Sequence, residues 1–218
     1  METLELIRTG AVIAILILSL AIHEAAHAYV ADLCGDSTAR EMGRLTLNPM
    51  AHIDPVMTVI VPLFLWISTG FLFGGAKPVP VNPHRLRHPL RDMSLVALAG
   101  PASNLLLAVL FTTLFKVALH WGGYEPDALM PTVLYWGVMA NVFLAVFNMI
   151  PIPPLDGSRV MAYLLPSHLR TAYMRLESFG LMLVIFFFFF LPGSRQVLQG
   201  ASRAVWDWVW FLTGGNWS

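Results

Sequence analysis

Cysteine and charge are both scarce in this chain, and each shortage excludes a class of protein. Cys34 is the only cysteine among 218 residues, which excludes an internal disulfide and a thiolate metal site. Lys and Arg balance Asp and Glu at 13 each, so net charge gives no reason to expect nucleic acid binding. Hydrophobic residues make up 57% of the chain against 12% charged, and the mean hydropathy is +0.68. This composition predicts an integral membrane protein, with the lipid bilayer as a partner.

Long apolar stretches recur along the chain at lengths that suit membrane segments, since a spanning helix needs about 20 apolar residues. No internal repeat, linker or second domain is visible, and nothing indicates the oligomeric state. We therefore predict one all-α polytopic membrane domain over residues 1–218, with roughly four to six membrane segments. The stretches run from about Thr9 to Leu33, Val56 to Gly75, Ser94 to Leu119, Thr132 to Pro151 and Phe179 to Leu191.

The stretch from Val56 to Gly75 decides the topology. If it spans the membrane, the lysines and arginines outside the membrane divide 8 to 4 between the two faces. If it is re-entrant, nine face four at most. The positive-inside rule favours the second arrangement, and Pro62 and Gly70 suit a broken segment. We expect one re-entrant or broken segment in a multi-pass protein of the cell membrane.

Two short pieces between the apolar stretches have patterns of their own. Arg44 to Leu47 alternates like a short strand. Lys77 to Pro83 is expected to be extended, because each residue before a proline is pushed away from helical angles.

The C-terminal part, residues 178–218, is predicted to be a membrane segment followed by an interfacial aromatic anchor. The anchor is suggested by Trp206, Trp208 and Trp210, which recur every second residue and not at helical spacing. The run from Phe186 to Phe190 is expected to face lipid.

Three ionisable residues interrupt the first apolar stretch. His23, Glu24 and His27 form the pattern HEAAH, and burying them in a membrane helix costs several kcal/mol unless something compensates. Histidines four residues apart lie on one face of a helix and can bind one Zn²⁺, with the glutamate beside them as a candidate general base. A pair of core histidines at chance spacing is the alternative.

Catalytic zinc usually takes three protein ligands, so a third is needed. Asp156 is the best candidate, because Pro151, Pro153 and Pro154 break the chain just after the apolar stretch that ends near Ile150. On spacing alone, an ordinary turn aspartate before a glycine stays open.

Together these motifs resemble a known family. HEAAH in a first membrane helix, Gly100 to Asn104 (GPASN) opening a second and Asn148 to Gly157 (NMIPIPPLDG) closing a third are similar to the site-2 protease family of intramembrane zinc metalloproteases. The resemblance runs from about Ile22 to Arg159. The segments 43–49 and 76–83 are similar to its compact bacterial branch, which lacks a PDZ or CBS domain.

The resemblance implies one zinc per chain, bound by His23, His27 and Asp156. It implies that Glu24 activates the water and that Asn148 helps to hold the substrate backbone or the developing oxyanion. The expected activity is hydrolysis of peptide bonds in or near transmembrane segments of membrane-anchored substrates, in regulated intramembrane proteolysis.

Two other functions are considered beside this one. A zinc-binding membrane scaffold or transporter has no need of Glu24 next to the metal. A metallopeptidase of another HExxH family would usually supply a glutamate as third ligand, and Glu24 is the only glutamate inside an apolar stretch.

Residues around the motifs carry further expectations. Gly100 and Pro101 fit the start of a helix, Asn104 an interhelical hydrogen bond, and His52 is the remaining histidine expected nearest the site. The segments 44–48 and 77–83 either pair with an unwound substrate strand or cover the site. The ends of the first and third motif helices must share a face, which places the zinc nearer the cytosolic side.

Overall fold

The computed structural model describes residues 2–55, 60, 67 and 75–215. These residues form helices joined by loops and turns, without a strand, so the predicted all-α class is confirmed. Short 3₁₀ turns cover Pro49–Ala51 and Leu176–Phe179. The α-helices are α1 Glu2–Leu33, α2 Thr38–Glu41, α3 Pro89–His120, α4 Leu129–Asn148, α5 Asp156–Leu164, α6 Ser167–Arg175, α7 Gly180–Phe190 and α8 Ser194–Leu212.

Three of these helices, α1, α3 and α4, are long and apolar enough to cross a membrane. At 1.5 Å per residue, the shortest, α4 with 20 residues, measures about 30 Å, the thickness of the hydrocarbon layer. A fourth crossing is formed if Ser167–Phe179 and Met182–Phe188, bent by 87°, count as one broken span. The described residues thus form a polytopic membrane protein with three crossings, or with four if the bent pair is one span, against the predicted four to six.

Helix α3 packs against both α1 and α4 and is antiparallel to both, and α1 and α4 also touch each other. His27 near the end of α1 contacts Val96 near the start of α3, while Asn104 of α3 contacts Asn141 of α4. Small residues allow α1 to pack closely, since every alanine of a stripe along it is at most 8% exposed. The stripe comprises Ala21, Ala25, Ala28 and Ala31.

The predicted re-entrant stretch from Val56 to Gly75 lies almost wholly outside the described residues. Its flanks are described, and the amide of Lys77 donates to the carbonyl oxygen of His52 at 2.7 Å. The residues on either side of this stretch, His52 and Lys77, are therefore in contact.

The strand expected from Arg44 to Leu47 is not formed. An alternating pattern needs a partner strand, and here local bonds occupy the polar groups instead. Thr46 accepts the amide of Asn48 on its hydroxyl and the ring Nε2 of His52 on its carbonyl oxygen, and Arg44 donates to Ala51. Residues 75–82 have no regular structure, as their prolines predict.

Gly100 and Pro101 lie inside α3 and do not begin it, so that expectation is wrong. The helix starts at Pro89, where the carboxylate of Asp92 accepts the amide of His88 at 2.7 Å. Pro101 leaves the carbonyl oxygen of Ala97 without its usual helical donor, an interruption that membrane helices tolerate when neighbouring helices pack around it.

The C-terminal tryptophans belong to a helix, so the expected non-helical anchor is wrong. Trp206 and Trp210 lie one turn apart and stack at 5.8 Å, while Trp208 points away and is half exposed. Lys116 of α3 donates to the carbonyl oxygen of Trp210 at 3.0 Å and to two later carbonyls, so it caps α8. Helix α8 runs beside α4. Leu198 of α8 is in one cluster with Phe147 near the end of α4, and Trp206 of α8 contacts Tyr135 near the start of α4.

The phenylalanine run of α7 is only partly directed outward, which corrects the expectation that all of it faces lipid. Phe186 and Phe190 are more than half exposed. Phe188 is 6% exposed because it stacks on Phe147 at 5.6 Å. This contact joins α7 to the end of α4.

Candidate metal centre

Helix α1 places His23 and His27 one turn apart on a buried face. Their side chains meet edge to face at 4.6 Å, and their Nε2 atoms are 3.0 Å apart. Both residues are less than 9% exposed. The two nitrogens therefore converge on one point between α1 and α3.

Helix α3 holds both rings from behind through their Nδ1 atoms. Nδ1 of His23 is 2.6 Å from Oδ1 of Asn104, and Nδ1 of His27 is 2.7 Å from the carbonyl oxygen of Val96. The Nε2 atoms are thereby turned towards Asp156. The interhelical hydrogen bonding expected for Asn104 is confirmed.

Asp156 reaches the histidines because the start of α5 packs against the backbone that follows the end of α4. Its Oδ2 lies 3.3 Å from Nε2 of His23 and 3.4 Å from Nε2 of His27. Gly157 permits this start, since a Cβ there would lie 2.2 Å from the carbonyl oxygen of Met149. The structure thus brings together the three side chains that the sequence singles out as ligands.

The donor set fits a cation. The carbonyl oxygen of Val96 can only accept, so Nδ1 of His27 carries the hydrogen and its Nε2 has a free lone pair. The two Nε2 atoms and a carboxylate oxygen of Asp156 lie within 4.8 Å of one another. Oδ2 of Asp156 is buried without a hydrogen-bond partner in the described part of the chain. Two imidazoles and one carboxylate suit Zn²⁺ and leave a fourth position open.

Glu24 lies next to the histidines on α1 and is half-buried. Its Oε2 accepts the amide of Val79 at 3.0 Å, so a residue far along the chain lies against this carboxylate. Val79 belongs to residues 75–83, which we call the cover segment. Because the Val79 amide is already bonded, it is not free to pair with a substrate strand.

The cover segment is fixed on both sides of Val79. Lys77 donates to His52, and the amide of Asn82 donates to the buried carboxylate of Asp36 at 2.6 Å. Just beyond the segment, Arg85 donates to both carboxylate oxygens of Glu41 at 2.8 Å, and these hydrogen bonds lower the pKa of Glu41. His52 is buried and lies next to the cover segment.

The structure places the side chain of Asn148 against its own helix. It is the last residue of α4, and its side-chain Nδ2 donates to the carbonyl oxygen of Leu144 at 3.0 Å. Its amide is therefore turned to its own helix.

Asn141, which sequence reasoning missed, is fully buried and bonds to Asn104. An asparagine in the interior of an apolar helix is the signal that could have found it.

Comparisons with known proteins agree with this chemistry. The profile of Peptidase family M50 matches residues 116–191. "Putative zinc metalloprotease YwhC" of Bacillus subtilis is 40% identical over 82% of this chain and 80% of its own length. "Putative zinc metalloprotease Rip2" of Mycolicibacterium smegmatis is 32% identical over 80% of this chain and 64% of its own length, and Rip2 of Mycobacterium tuberculosis is 30% identical over 93% and 74%.

No solved structure matches the chain. The similarity to YwhC nevertheless extends over four fifths of both proteins, and His23 and His27 of α1 converge with Asp156 of α5 in a group that could hold a metal ion. The chain is a membrane zinc metalloprotease and belongs to peptidase family M50, the site-2 protease family.

Proposed function

We propose that this protein is an intramembrane endopeptidase that hydrolyses peptide bonds in or near transmembrane segments of membrane-anchored proteins, as a step of regulated intramembrane proteolysis. The observation that carries the proposal is the convergence of His23, His27 and Asp156 beside Glu24 on a helix long enough to cross the membrane. A peptidase of soluble substrates would have no reason to accept the cost of placing these groups there.

His23, His27 and Asp156 would hold the zinc, with one ion per chain. When bound, the ion supplies Lewis acidity, which lowers the pKa of a water and polarises the scissile carbonyl. Glu24 accepts a proton from the attacking water and returns it to the leaving nitrogen as the C–N bond breaks. The Val79 amide holds Oε2 of Glu24, which fixes the orientation of the carboxylate.

The substrate must be unwound locally, because a helix keeps its carbonyls in its own hydrogen bonds. Asn148 is proposed to turn its amide from Leu144 to the substrate backbone or the developing oxyanion. The site is proposed to lie nearer the cytosolic face, since the end of the helix bundle that holds Asp156 also holds most of the arginines.

The replacement of Glu24 by glutamine tests the activity. Glu24→Gln keeps the shape of the side chain but cannot accept the proton, so we expect full zinc content and a loss of cleavage of at least about 100-fold. The measurement compares membrane-protein fragments in cells that carry the natural chain or the variant, with zinc measured in purified protein. Asp156→Ala should lose the zinc as well as the activity.

A zinc-binding scaffold or transporter is the alternative function, and the same experiment separates it. Fragments that accumulate equally with the natural chain and with Glu24→Gln would contradict the peptidase assignment. Full zinc content in Asp156→Ala would remove Asp156 from the ligands.

A further inference from the structure

We propose that Asn104 and Asn141 are positioning residues that hold His23 in the tautomer able to bind the metal. The proposal rests on the proposed function, because it takes His23 as a zinc ligand. It assigns a role to two buried amides, which we call the amide relay.

The amide relay joins three membrane helices at the level of the metal centre. Nδ2 of Asn104 on α3 donates to Oδ1 of Asn141 on α4 at 2.9 Å. Nδ2 of Asn141 donates to Oγ of Ser19 on α1 at 2.9 Å and to the carbonyl oxygen of Gly137 at 2.8 Å. Asn104 and Asn141 are 0% exposed and Ser19 is 1% exposed.

The direction of every bond in the relay follows from the carbonyl of Gly137. A backbone carbonyl can only accept, so the group of Asn141 that faces it must be the NH₂. The oxygen of Asn141 then faces Asn104, which must present its own NH₂ there. The oxygen of Asn104 is therefore left to face Nδ1 of His23, at 2.6 Å.

This direction decides where His23 carries its hydrogen. Since Oδ1 of Asn104 can only accept, Nδ1 of His23 must donate, and Nε2 keeps its lone pair for the metal. Val96 imposes the same tautomer on His27. An outer partner of this kind orients a ligand and raises its basicity, and its loss typically costs 10–100-fold in metal affinity or activity.

Asn141 is needed because Asn104 alone could turn over. With its NH₂ facing His23, Asn104 would require Nδ1 to accept, and the hydrogen would move to Nε2 and block the metal. Asn141 prevents this by accepting the NH₂ of Asn104. Neutral amides perform this task in the membrane without the cost of burying a carboxylate.

Three substitutions in the full-length chain in detergent test the relay. Asn104→Leu removes the acceptor, Asn104→Asp keeps an oxygen that can accept the hydrogen of Nδ1 of His23, and Thr112→Val is the matched control. Thr112 is equally buried on the same helix, but its hydroxyl bonds to Ala108 of its own helix. Zinc affinity is measured by competition with a chelator, and the absorption bands of bound Co²⁺ report the ligand geometry.

We expect Asn104→Leu to bind zinc about 10–100-fold more weakly and to alter the Co²⁺ bands. Asn104→Asp should bind zinc almost as well as the natural chain, although its thermal unfolding midpoint without metal falls. Thr112→Val should leave the affinity unchanged. If Asn104→Leu does not fold, Asn141→Leu replaces it, with a smaller loss of affinity expected because Asn104 then turns over only part of the time.

A merely structural role for Asn104 gives the opposite order. An apolar leucine would then be tolerated and a buried carboxylate would be worse, so weaker zinc binding in Asn104→Asp than in Asn104→Leu would overturn the proposal. Natural affinity in both Asn104→Leu and Asn141→Leu would also overturn it. A natural chain that binds no zinc would instead contradict the proposed function itself.

Discussion

At the scale of single residues, Gly100 is the position of the metal centre that leaves no room for a side chain. A Cβ on Gly100 would lie 2.5 Å from Cε1 of His23 and 2.5 Å from Nε2 of His27. Atoms do not approach so closely without displacement, so the backbone of α3 at Gly100 forms the wall against which both rings lie.

We predict that Gly100→Ala weakens zinc binding by at least about 10-fold, because the added methyl group pushes both ligand nitrogens out of place. The measurement is zinc affinity in the purified chain. Gly10→Ala on α1 is the matched control, since a Cβ there meets nothing within 4 Å. Natural zinc affinity in Gly100→Ala would show that the rings can shift without cost, contrary to this prediction.

The residues of the metal centre differ in how far the sequence predicts them. His23, Glu24 and His27 are predictable because their spacing on one helix is a local property. Asp156 required the resemblance to a family, since a turn aspartate has the same local pattern. The partner of Asn141 and the contact of Gly100 depend on how α3 packs against its neighbours, which no local pattern contains.

At the scale of elements, the cover segment connects a loop to the chemistry. Proline precedes and follows Val79, so its backbone is held extended and its amide points at Glu24. The bonds of Lys77 to His52 and of Asn82 to Asp36 fix the segment on both sides of this contact. The segment therefore supports the carboxylate of Glu24 in addition to covering it.

We predict that Val79→Pro lowers the cleavage rate about 10-fold or more while zinc content stays full. The substitution suits an extended backbone and removes the amide hydrogen that orients Glu24. The measurement is the rate of fragment formation together with zinc content. If the segment only blocked the site, Val79→Pro would loosen it and cleavage would rise.

Val81→Pro is the matched control for this prediction. It places a proline two residues along the same segment, where the amide donates to no group in the described part of the chain. It should leave cleavage near the natural rate. An equal loss in both variants would mean that the shape of the segment matters and the Val79 amide does not.

The long helices were predictable and the short elements were not. Apolar length fixes the C-terminal ends of α1, α3 and α4 to within about three residues, whereas α1 and α3 begin before their apolar stretches, at Glu2 and Pro89. The strand expected at 44–47 failed because a strand needs a partner that the sequence does not specify. The tryptophans were misread because a spacing of two conceals the pair Trp206 and Trp210, which is at helical spacing.

At the scale of the whole molecule, hydrogen bonds assign the described loops to the two ends of the helix bundle. Helix α2 and the following Met42 come directly after the end of α1. Arg85, just before α3, donates to Glu41 of α2, so the end of α1 and the start of α3 lie at the same end of the bundle. Tyr173 of α6 donates to the carbonyl oxygen of Pro151, which ties α6 to the same end. Asp156 lies there too, while the loop between α3 and α4, which contains Glu125, lies at the other end.

The last prediction concerns which end faces the cytosol. Single cysteines at Met42, His84 and His168, in a Cys34→Ser background, should all react with a membrane-impermeant reagent from the cytosolic face, because that end carries most of the Lys and Arg. A cysteine at Glu125 should react only from the opposite face. All four positions are exposed. Reaction of Met42 and His84 from different faces would contradict the antiparallel packing of α1 and α3. Reaction of all four from the reversed faces would keep the fold and move the metal centre to the outer side of the membrane.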